Sequence, residues 1–278
     1  MALLVRRALR HLSRVYDVMS RRTQMEREIT IFDDDVFITS YTRSGNTWMR
    51  FMVGNLVHPD EPITFLNVER LVPDMYKNAD WVLRRLPRPR MLKSHEAFDP
   101  RYRRVIYIVR DPRDVAISNY NWEVKLRSIP EGCPIEGWAT RWMEGNSWPR
   151  VGSWADHVVS WLATRQGHDS FLLVRYEDLH ENQARELARV AQFLGVDPEA
   201  GRIQRAIERS SAAKMRKMEE TQGKKWVATF RTRSDKPYIR KASSGEWQGV
   251  LPEKTVAHIE SRWGALMKQL GYRLSSEM

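Results

Sequence analysis

A short loop rich in hydroxyl and basic side chains is the first place where the sequence indicates chemistry. Residues 40–46 form this loop, between an apolar stretch at 35–39 and an apolar-periodic stretch at 47–56, a pattern that predicts a strand, a tight loop and a helix. A helix N-terminus presents backbone N–H groups and a positive dipole, which suit phosphate or sulfate. An ordinary N-capped helix fits these residues equally well. The polar donors of the loop are Arg43, Ser44 and Thr47.

A second basic and hydroxyl pair follows another apolar stretch. Residues 105–109 predict a strand, Arg110 stands at its end, and Ser118 falls one or two turns into the next helix, which begins near Asp114. A guanidinium fork and a hydroxyl that converge there could bind a second phosphate. Asp111 and Asp114 could equally make this a capped helix with surface ion pairs.

A histidine beside a lysine is the candidate for proton transfer. Lys93 and His95 lie at a predicted strand end, just before a loop at 98–100. An imidazole that titrates near ~6.5 can accept a proton from a hydroxyl at neutral pH. A lone histidine is more often structural, but the lysine and the two anion-binding candidates favour a catalytic role here.

An α/β domain would bring these residues together. Apolar strands at 35–39, 105–109 and 171–174 are each followed by helical periodicity, which indicates a parallel sheet. Ligands of such sheets bind at the carboxyl ends of the strands, where the three following loops would cluster. The helix after the third strand is predicted at 183–194, and two helices are predicted to close the chain at 253–270.

The segment 221–250 differs from the rest of the chain, because it is polar, basic and poor in periodicity. A loop of this length in a compact domain is functional or disordered. Its cationic residues repel one another, and it has few apolar positions with which to dock. We therefore expect residues 221–244 to be mobile until a polyanion binds.

The composition narrows the class of partner. The chain has 278 residues with a net charge of +11 and a pI of about 9.9, which favours nucleic acid, acidic lipid surfaces or phosphate-bearing small molecules. The single cysteine, Cys133, excludes an internal disulfide and predicts a reducing, cytoplasmic setting. We find no zinc-spaced Cys/His cluster and therefore predict no metal site.

The N-terminus predicts a basic amphipathic helix at 1–30, ahead of a single domain at 31–278. Apolar residues recur at helical spacing from Val5 to Met19, and arginines fill other positions. The segment lacks the continuous apolar core of a secretory signal. Such a helix could make a peripheral contact with a membrane or bind a partner. A helix packed on the domain and a transit peptide are the alternatives.

Taken in order, these motifs resemble those of the cytosolic-type sulfotransferases that use 3′-phosphoadenosine 5′-phosphosulfate (PAPS). The resemblance runs from about residue 35 to about residue 272. The matching elements are Y-T-R-S-G-N-T-W at 41–48, K-S-H at 93–95, R-D-P-R-D-V-A-I-S at 110–118, G-S-W-A-D-H at 152–157, Y-E-D-L at 176–179 and R-K-A-S-S-G-E-W at 240–247. Six elements in the family's order are far more specific than any one of them.

The resemblance implies a three-layer α/β fold, with a parallel central sheet, helices on both faces and a P-loop-like loop for the phosphosulfate. It implies sulfuryl transfer from PAPS to an acceptor hydroxyl, with His95 as the base, Lys93 and Arg43 neutralising developing charge, and no metal. The residues that it implies for PAPS binding are Arg43, Ser44, Gly45, Asn46, Thr47, Trp48, Arg110, Ser118, Tyr176, Ser211, Arg240, Lys241 and Ala242.

Three departures from the family pattern bear on this site. Arg43 replaces the usual lysine, which keeps the charge but changes a point donor into a fork. Ala242 stands where the family has glycine after the Arg-Lys pair. The family's T-S-F is replaced by residues 210–212 (SSA), so a stacking phenylalanine is missing and Trp48 would carry more of the adenine contact.

Two other functions share part of this pattern. A P-loop kinase or NTPase has the same architecture, but no Walker lysine follows the loop and no acidic metal ligand is evident. A non-enzymatic binder of nucleic acid or acidic lipid would need a continuous basic patch. Many basic residues here fall inside the matched motifs, so we expect no nucleic-acid partner.

The acceptor is expected to be a small molecule, lipid or glycoside that carries a hydroxyl. Aromatic residues outside the donor motifs could line an apolar pocket for it. These residues are Tyr76, Trp81, Phe98, Trp138, Trp142 and Trp148.

Overall fold

Four parallel strands form the centre of the molecule. The computed structural model describes residues 29–148 and 151–277. The strands are β1 Val36–Ser40, β2 Met91–Ser94, β3 Arg104–Val109 and β4 Phe171–Arg175, in the sheet order β2-β1-β3-β4. The register pairs Ile38 with both Lys93 and Ile106. The parallel sheet predicted from the sequence is confirmed.

Helices make up most of the remaining structure. The described helices are α1 Asn46–Val57, α2 Val68–Leu71, α3 Asp80–Leu83, α4 Pro112–Leu126, α5 Ile135–Met143, α6 Trp154–Arg165, α7 Tyr176–Glu181, α8 Gln183–Leu194, α9 Ala200–Arg209, α10 Ala212–Gln222 and α11 Glu253–Gln269, with 3₁₀ turns at Glu246–Gly249 and Ser275–Glu277. None of the helices in the described ranges is both long and apolar enough to cross a membrane.

Both faces of the sheet are covered, because successive strand residues point to opposite sides. Ile38 and Ile106 face a core formed with α1, α8 and α9. Phe37 and Tyr107 face a second core formed with α4, α5, α6 and α11, which is rich in tryptophan. This confirms the three-layer α/β fold, and it leaves the carboxyl ends of the strands open between the layers.

Two expectations differ from the structure. The chain closes with the single helix α11 and not with two, since Glu253–Gln269 contains no breaking residue strong enough to divide it. The segment after α10 has more apolar anchoring than the sequence suggested. Trp226 is only 2% exposed and packs against Phe65, with ring centroids 4.6 Å apart.

The basic amphipathic helix predicted for residues 1–30 lies outside the described residues, except for its last two positions. The division into that helix and a domain at 31–278 therefore stays a prediction.

Candidate active site

The open ends of the strands border a cavity of about 920 Å³. All but two of the predicted site residues line it. Those that do are Arg43, Gly45, Asn46, Thr47, Trp48, Lys93, His95, Arg110, Ser118, Tyr176, Arg240, Lys241 and Ala242. Ser44 lies buried behind the wall of the cavity. Ser211 instead caps α10, where its hydroxyl accepts a hydrogen bond from the backbone N–H of Lys214 at 3.4 Å.

The loop between β1 and α1 has a conformation that its glycine permits. Gly45 has a φ of 98°, and a Cβ atom there would lie 2.6 Å from Cδ2 of Tyr176. Glycine is therefore required both by the backbone and by the packing. No described side chain caps α1, which begins at Asn46, so its first N–H groups stay available to an anion in the cavity.

Two side chains of the loop differ in their hydrogen bonding. The Asn46 amide donates to the carbonyls of Ile38 at 2.9 Å and Ser94 at 3.1 Å, and thereby links β1 to the end of β2. The Ser44 hydroxyl is buried and has no hydrogen-bond partner among the described residues. A buried polar group without a partner is costly unless a ligand satisfies it. This orphaned hydroxyl is consistent with a phosphate or sulfate bound in the loop.

Arg110 lines the same cavity as the loop between β1 and α1. Its guanidinium carbon lies 4.2 Å over the Tyr176 ring, and Nη2 donates to the carbonyl of Ser243 at 2.9 Å. Its Nε is buried and has no partner in the described part of the chain. Stacking on the ring fixes the plane of the fork, so the remaining donor can bind an anion in a defined orientation.

The segment 240–247 completes that side of the site. Arg240 and Lys241 both contact the Glu246 carboxylate, at 2.8 and 3.5 Å. Ala242 has a φ of 52°, in the left-handed region that favours glycine. Residue 242 therefore adopts this conformation as an alanine, and the His180 ring N–H donates to the Ala242 carbonyl at 2.9 Å.

Arg43 is held between two aromatic rings. Its guanidinium carbon lies 5.1 Å from the centre of the Trp122 ring and 4.7 Å from that of Tyr238. Nε donates to the Ser118 hydroxyl at 3.2 Å, which links the loop to α4. Burial and the charges of neighbouring arginines lower the pKa of Arg43, although Tyr238 acts against this.

The hydrogen bonds of His95 select one tautomer. Nδ1 lies 2.8 Å from the Ser40 carbonyl, which can only accept, so Nδ1 carries the proton. The lone pair of the neutral ring is therefore on Nε2. Burial, and then the charge of Lys93, lower the pKa of His95 to about 3, so the ring is neutral at physiological pH. The backbone N–H of His95 donates to the Tyr76 hydroxyl at 2.8 Å.

Lys93 is positioned by an acid that the sequence analysis missed. Its ammonium lies 2.6 Å from Oδ2 of Asp74. Although burial acts to raise the pKa of Asp74, Lys93 and Arg50 hold it well below its ordinary value. Asp74 stands nineteen residues before Lys93 and is brought to it by a bridge between their backbones. No local pattern could have revealed this pair.

The predicted aromatic pocket residues separate into different environments. Tyr76 and Trp148 line the cavity, with Trp122 and Tyr238, which the sequence analysis did not single out. Trp138 and Trp142 are fully buried in the core between α5 and the neighbouring helices. Phe98 packs edge-on against Trp161, and Trp81 is 62% exposed.

Comparison with known sequences gives one family. The model of the family described as "Sulfotransferase domain" matches residues 33–271. Sulfotransferase 1B1 of Canis lupus familiaris is 28% identical over 243 residues, which cover 82% of this chain and 80% of the relative. Sulfotransferase 1E1 of Rattus norvegicus is 26% identical over 263 residues, which cover 88% of this chain and 87% of the relative.

Solved structures share the fold. Retinol dehydratase, solved with androsterone and the inactive cofactor PAP, aligns with a TM-score of 0.71 at 20% identity, over 89% of this chain and 84% of that one. A mouse sulfotransferase complexed with PAP aligns with a TM-score of 0.69 at 20% identity, over 86% and 85% of the two chains.

The family match spans the loop, the strand ends and the cavity described above. It covers far more than half of the chain, and it agrees with the resemblance read from the six motifs. The chain therefore belongs to the sulfotransferase domain family, and it is a PAPS-dependent sulfotransferase.

Proposed function

We propose that this chain sulfates a hydroxyl of a small-molecule acceptor, with His95 as the general base and the cavity as the shared site of PAPS and acceptor. The observation that carries this proposal is the tautomer of His95, whose Nδ1 proton is donated to Ser40 and whose Nε2 lone pair stays available. PAPS, when bound, supplies the activated sulfuryl group and leaves as adenosine 3′,5′-bisphosphate.

The donor would be held by groups with unused hydrogen-bonding capacity. The N-terminus of α1 and the Ser44 hydroxyl suit the 5′ side. Arg110 and Ser118 suit the 3′-phosphate, together with Arg240 and Lys241, because these basic and hydroxyl side chains line the same cavity. The buried, unpartnered atoms on Ser44 and Arg110 support this assignment, since a polyanion would satisfy both.

The acceptor hydroxyl would lose its proton to Nε2 of His95 as its oxygen bonds to sulfur. The hydrogen bond from Nδ1 to Ser40 holds the ring and would stabilise the imidazolium that forms. Lys93, fixed by Asp74, would neutralise charge that develops on the sulfuryl oxygens. Arg43 would contribute in the same way, although its present contacts are with Ser118, Trp122 and Tyr238.

The acceptor would bind in the part of the cavity lined by Tyr76, Trp122, Leu126 and Trp148. Aromatic walls with a few polar groups are typical of sites for small organic molecules. Lipid and glycoside acceptors both remain within this class, and a peripheral membrane contact through residues 1–30 stays a prediction.

The test is transfer from labelled PAPS to a panel of phenols, sterols, glycosides and glycolipids. His95→Ala should lower turnover at least ~10²-fold, the scale expected for a positioned base. Its affinity for adenosine 3′,5′-bisphosphate should be almost unchanged, because His95 acts on the acceptor. His168→Ala, at an exposed histidine, is the matched control. A His95→Ala variant that keeps more than a tenth of wild-type turnover would exclude the base assignment.

A further inference from the structure

One carboxylate on the cavity wall has no part in the roles above. Glu123 lies on α4, five residues after Ser118 and therefore about 7.5 Å further along the helix axis. It is only 7% exposed. Oε2 accepts a hydrogen bond from Nε1 of Trp138 at 2.9 Å, whereas Oε1 accepts none from the described residues.

The other acids on the cavity wall are paired. Asp74 contacts Lys93 at 2.6 Å, and Glu246 contacts Arg240 at 2.8 Å. Within the described ranges, Glu123 is the acid of the cavity wall that forms no ion pair. An acid buried in this way, with one oxygen unsatisfied, is costly in the free protein.

Its neighbours do not remove this cost. Burial raises the pKa of Glu123, and the Trp138 N–H, the Ser147 hydroxyl and the charge of Arg141 only partly oppose this. Ser147 is near enough to act on the pKa but makes no hydrogen bond of normal geometry with Oε1. Asn146 and Ser128, which are exposed, also line the cavity. The cavity wall therefore carries polar groups together with aromatic ones.

We propose that Glu123 binds a second hydrogen-bond donor on the acceptor molecule, an O–H or ammonium N–H group, and so determines which acceptors are sulfated. This inference rests on the proposed function. The acceptor would then be bifunctional, with one hydroxyl at His95 and a polar donor at Glu123. A donor of either kind satisfies Oε1, an apolar group leaves it unsatisfied, and a carboxylate is repelled by it.

The experiment compares phenols that differ in one substituent. The para substituents are ethyl, hydroxymethyl, aminomethyl and carboxymethyl, each attached directly or through one further phenyl ring. Two readouts are used: kcat/KM with labelled PAPS, and dissociation constants by calorimetry in the presence of adenosine 3′,5′-bisphosphate. The second readout requires no turnover.

In wild-type protein we expect the hydroxymethyl and aminomethyl probes to have a kcat/KM and an affinity roughly tenfold to hundredfold higher than those of the ethyl probe. This is the scale of a charge-assisted hydrogen bond. Glu123→Gln separates the two donors. The amide oxygen can still accept from a hydroxyl but no longer pairs with an ammonium, so the aminomethyl preference should disappear and the hydroxymethyl preference should persist in part. Glu123→Leu should remove both.

The controls separate this inference from the function on which it rests. Glu253→Gln changes an exposed acid on α11 and should keep the wild-type ranking. Equal values across the series, or failure of the donor-bearing probes to bind, overturns the role of Glu123. If wild-type protein does not bind adenosine 3′,5′-bisphosphate, the proposed function itself is contradicted. The ranking in wild-type protein tests the role even if a Glu123 variant is unstable.

Discussion

At the scale of single residues, Arg110 has the contacts of an anion-binding arginine. The ring of Tyr176 fixes its plane, and Asp114 lies at 3.6 Å, too far for a hydrogen-bonded pair of normal length. Its Nε remains without a partner among the described residues. A guanidinium that is oriented but incompletely satisfied should discriminate between nucleotides by their phosphates.

Arg110→Ala should therefore weaken the binding of adenosine 3′,5′-bisphosphate roughly tenfold to hundredfold, because a charge-assisted contact of ~1.5–3 kcal/mol is lost. Adenosine 5′-monophosphate, which lacks the 3′-phosphate, should be almost unaffected. Calorimetry with both nucleotides measures this, and Arg262→Ala, at an exposed arginine of α11, is the control. Equal weakening of the two nucleotides would show that Arg110 does not bind the 3′-phosphate.

The protonation of His95 makes a second prediction at this scale. Because burial and Lys93 lower its pKa to about 3, the ring should stay neutral in the free protein across pH 5–8. A bound polyanion adds negative charge to the cavity and should raise this pKa. NMR titration of the ring signals that His95→Ala removes, with and without adenosine 3′,5′-bisphosphate, measures both effects. A midpoint near pH 6.5 in the free protein would contradict the burial argument.

Sequence reasoning singled out residues that line the cavity and missed those that position them. His95, Lys93 and Arg110 have side chains whose type and place at strand ends already suggest a role. Asp74 and Tyr238 have no such local signal, because they reach the site only through the folding of distant segments. Ser211 shows the converse case, since its position in a motif did not reveal that it caps α10.

At the scale of elements, the segment between α10 and the turn at Glu246–Gly249 is attached to the loop between β1 and α1 and to the first turn of α1. The Tyr238 hydroxyl lies 2.7 Å from Oγ1 of Thr47, and the Tyr238 carbonyl accepts from Nη2 of Arg43 at 3.3 Å. Trp226 anchors the other part of the segment by packing edge-on against Tyr238, with ring centroids 5.0 Å apart. Binding of an anion at the loop should therefore make this segment more ordered.

Hydrogen exchange tests this link. Exchange across residues 224–241 should slow when adenosine 3′,5′-bisphosphate binds, since the anion compensates the cationic side chains that repel one another. Trp226→Ala should speed exchange there in the free protein, because a buried aromatic anchor is removed. Phe230→Ala, in the same segment but 56% exposed, should have little effect. Unchanged exchange on nucleotide binding would show that the nucleotide does not order this segment.

The elements themselves were predictable where the hydrophobic pattern was strong. The helix at 183–194 was predicted with its observed bounds, and three of the strands were predicted to within about one residue at either end. Strand β2 has only four residues, two of them polar, so it gives no strand pattern beyond the position of Lys93 at its end. The anchoring of 223–245 was missed because isolated aromatic residues have no periodicity and their partners are remote in sequence.

At the scale of the whole molecule, a buried histidine in the core should make stability depend on pH. His157 is fully buried on α6, with Nδ1 2.8 Å from the Tyr107 hydroxyl and Nε2 3.2 Å from the His95 carbonyl. The carbonyl accepts the Nε2 proton, and Nδ1 accepts from the tyrosine, so the neutral ring is fully satisfied. Burial lowers the pKa of His157 to about 4, although the nearby carbonyls act to raise it.

This lowered pKa predicts how stability depends on pH. The unfolded chain binds a proton at His157 near pH ~6.5, whereas the folded chain does so only near pH 4, so unfolding takes up a proton in between. Stability should therefore fall as pH decreases through this window, by about 2 kcal/mol between pH 7.5 and 5.0 from this residue alone. His157→Gln cannot take up that proton. Urea unfolding at the two pH values should show a smaller loss for His157→Gln than for wild type, while His168→Gln, at an exposed site, should match wild type. Equal losses of unfolding free energy between the two pH values in all three proteins would show that His157 does not determine how stability depends on pH.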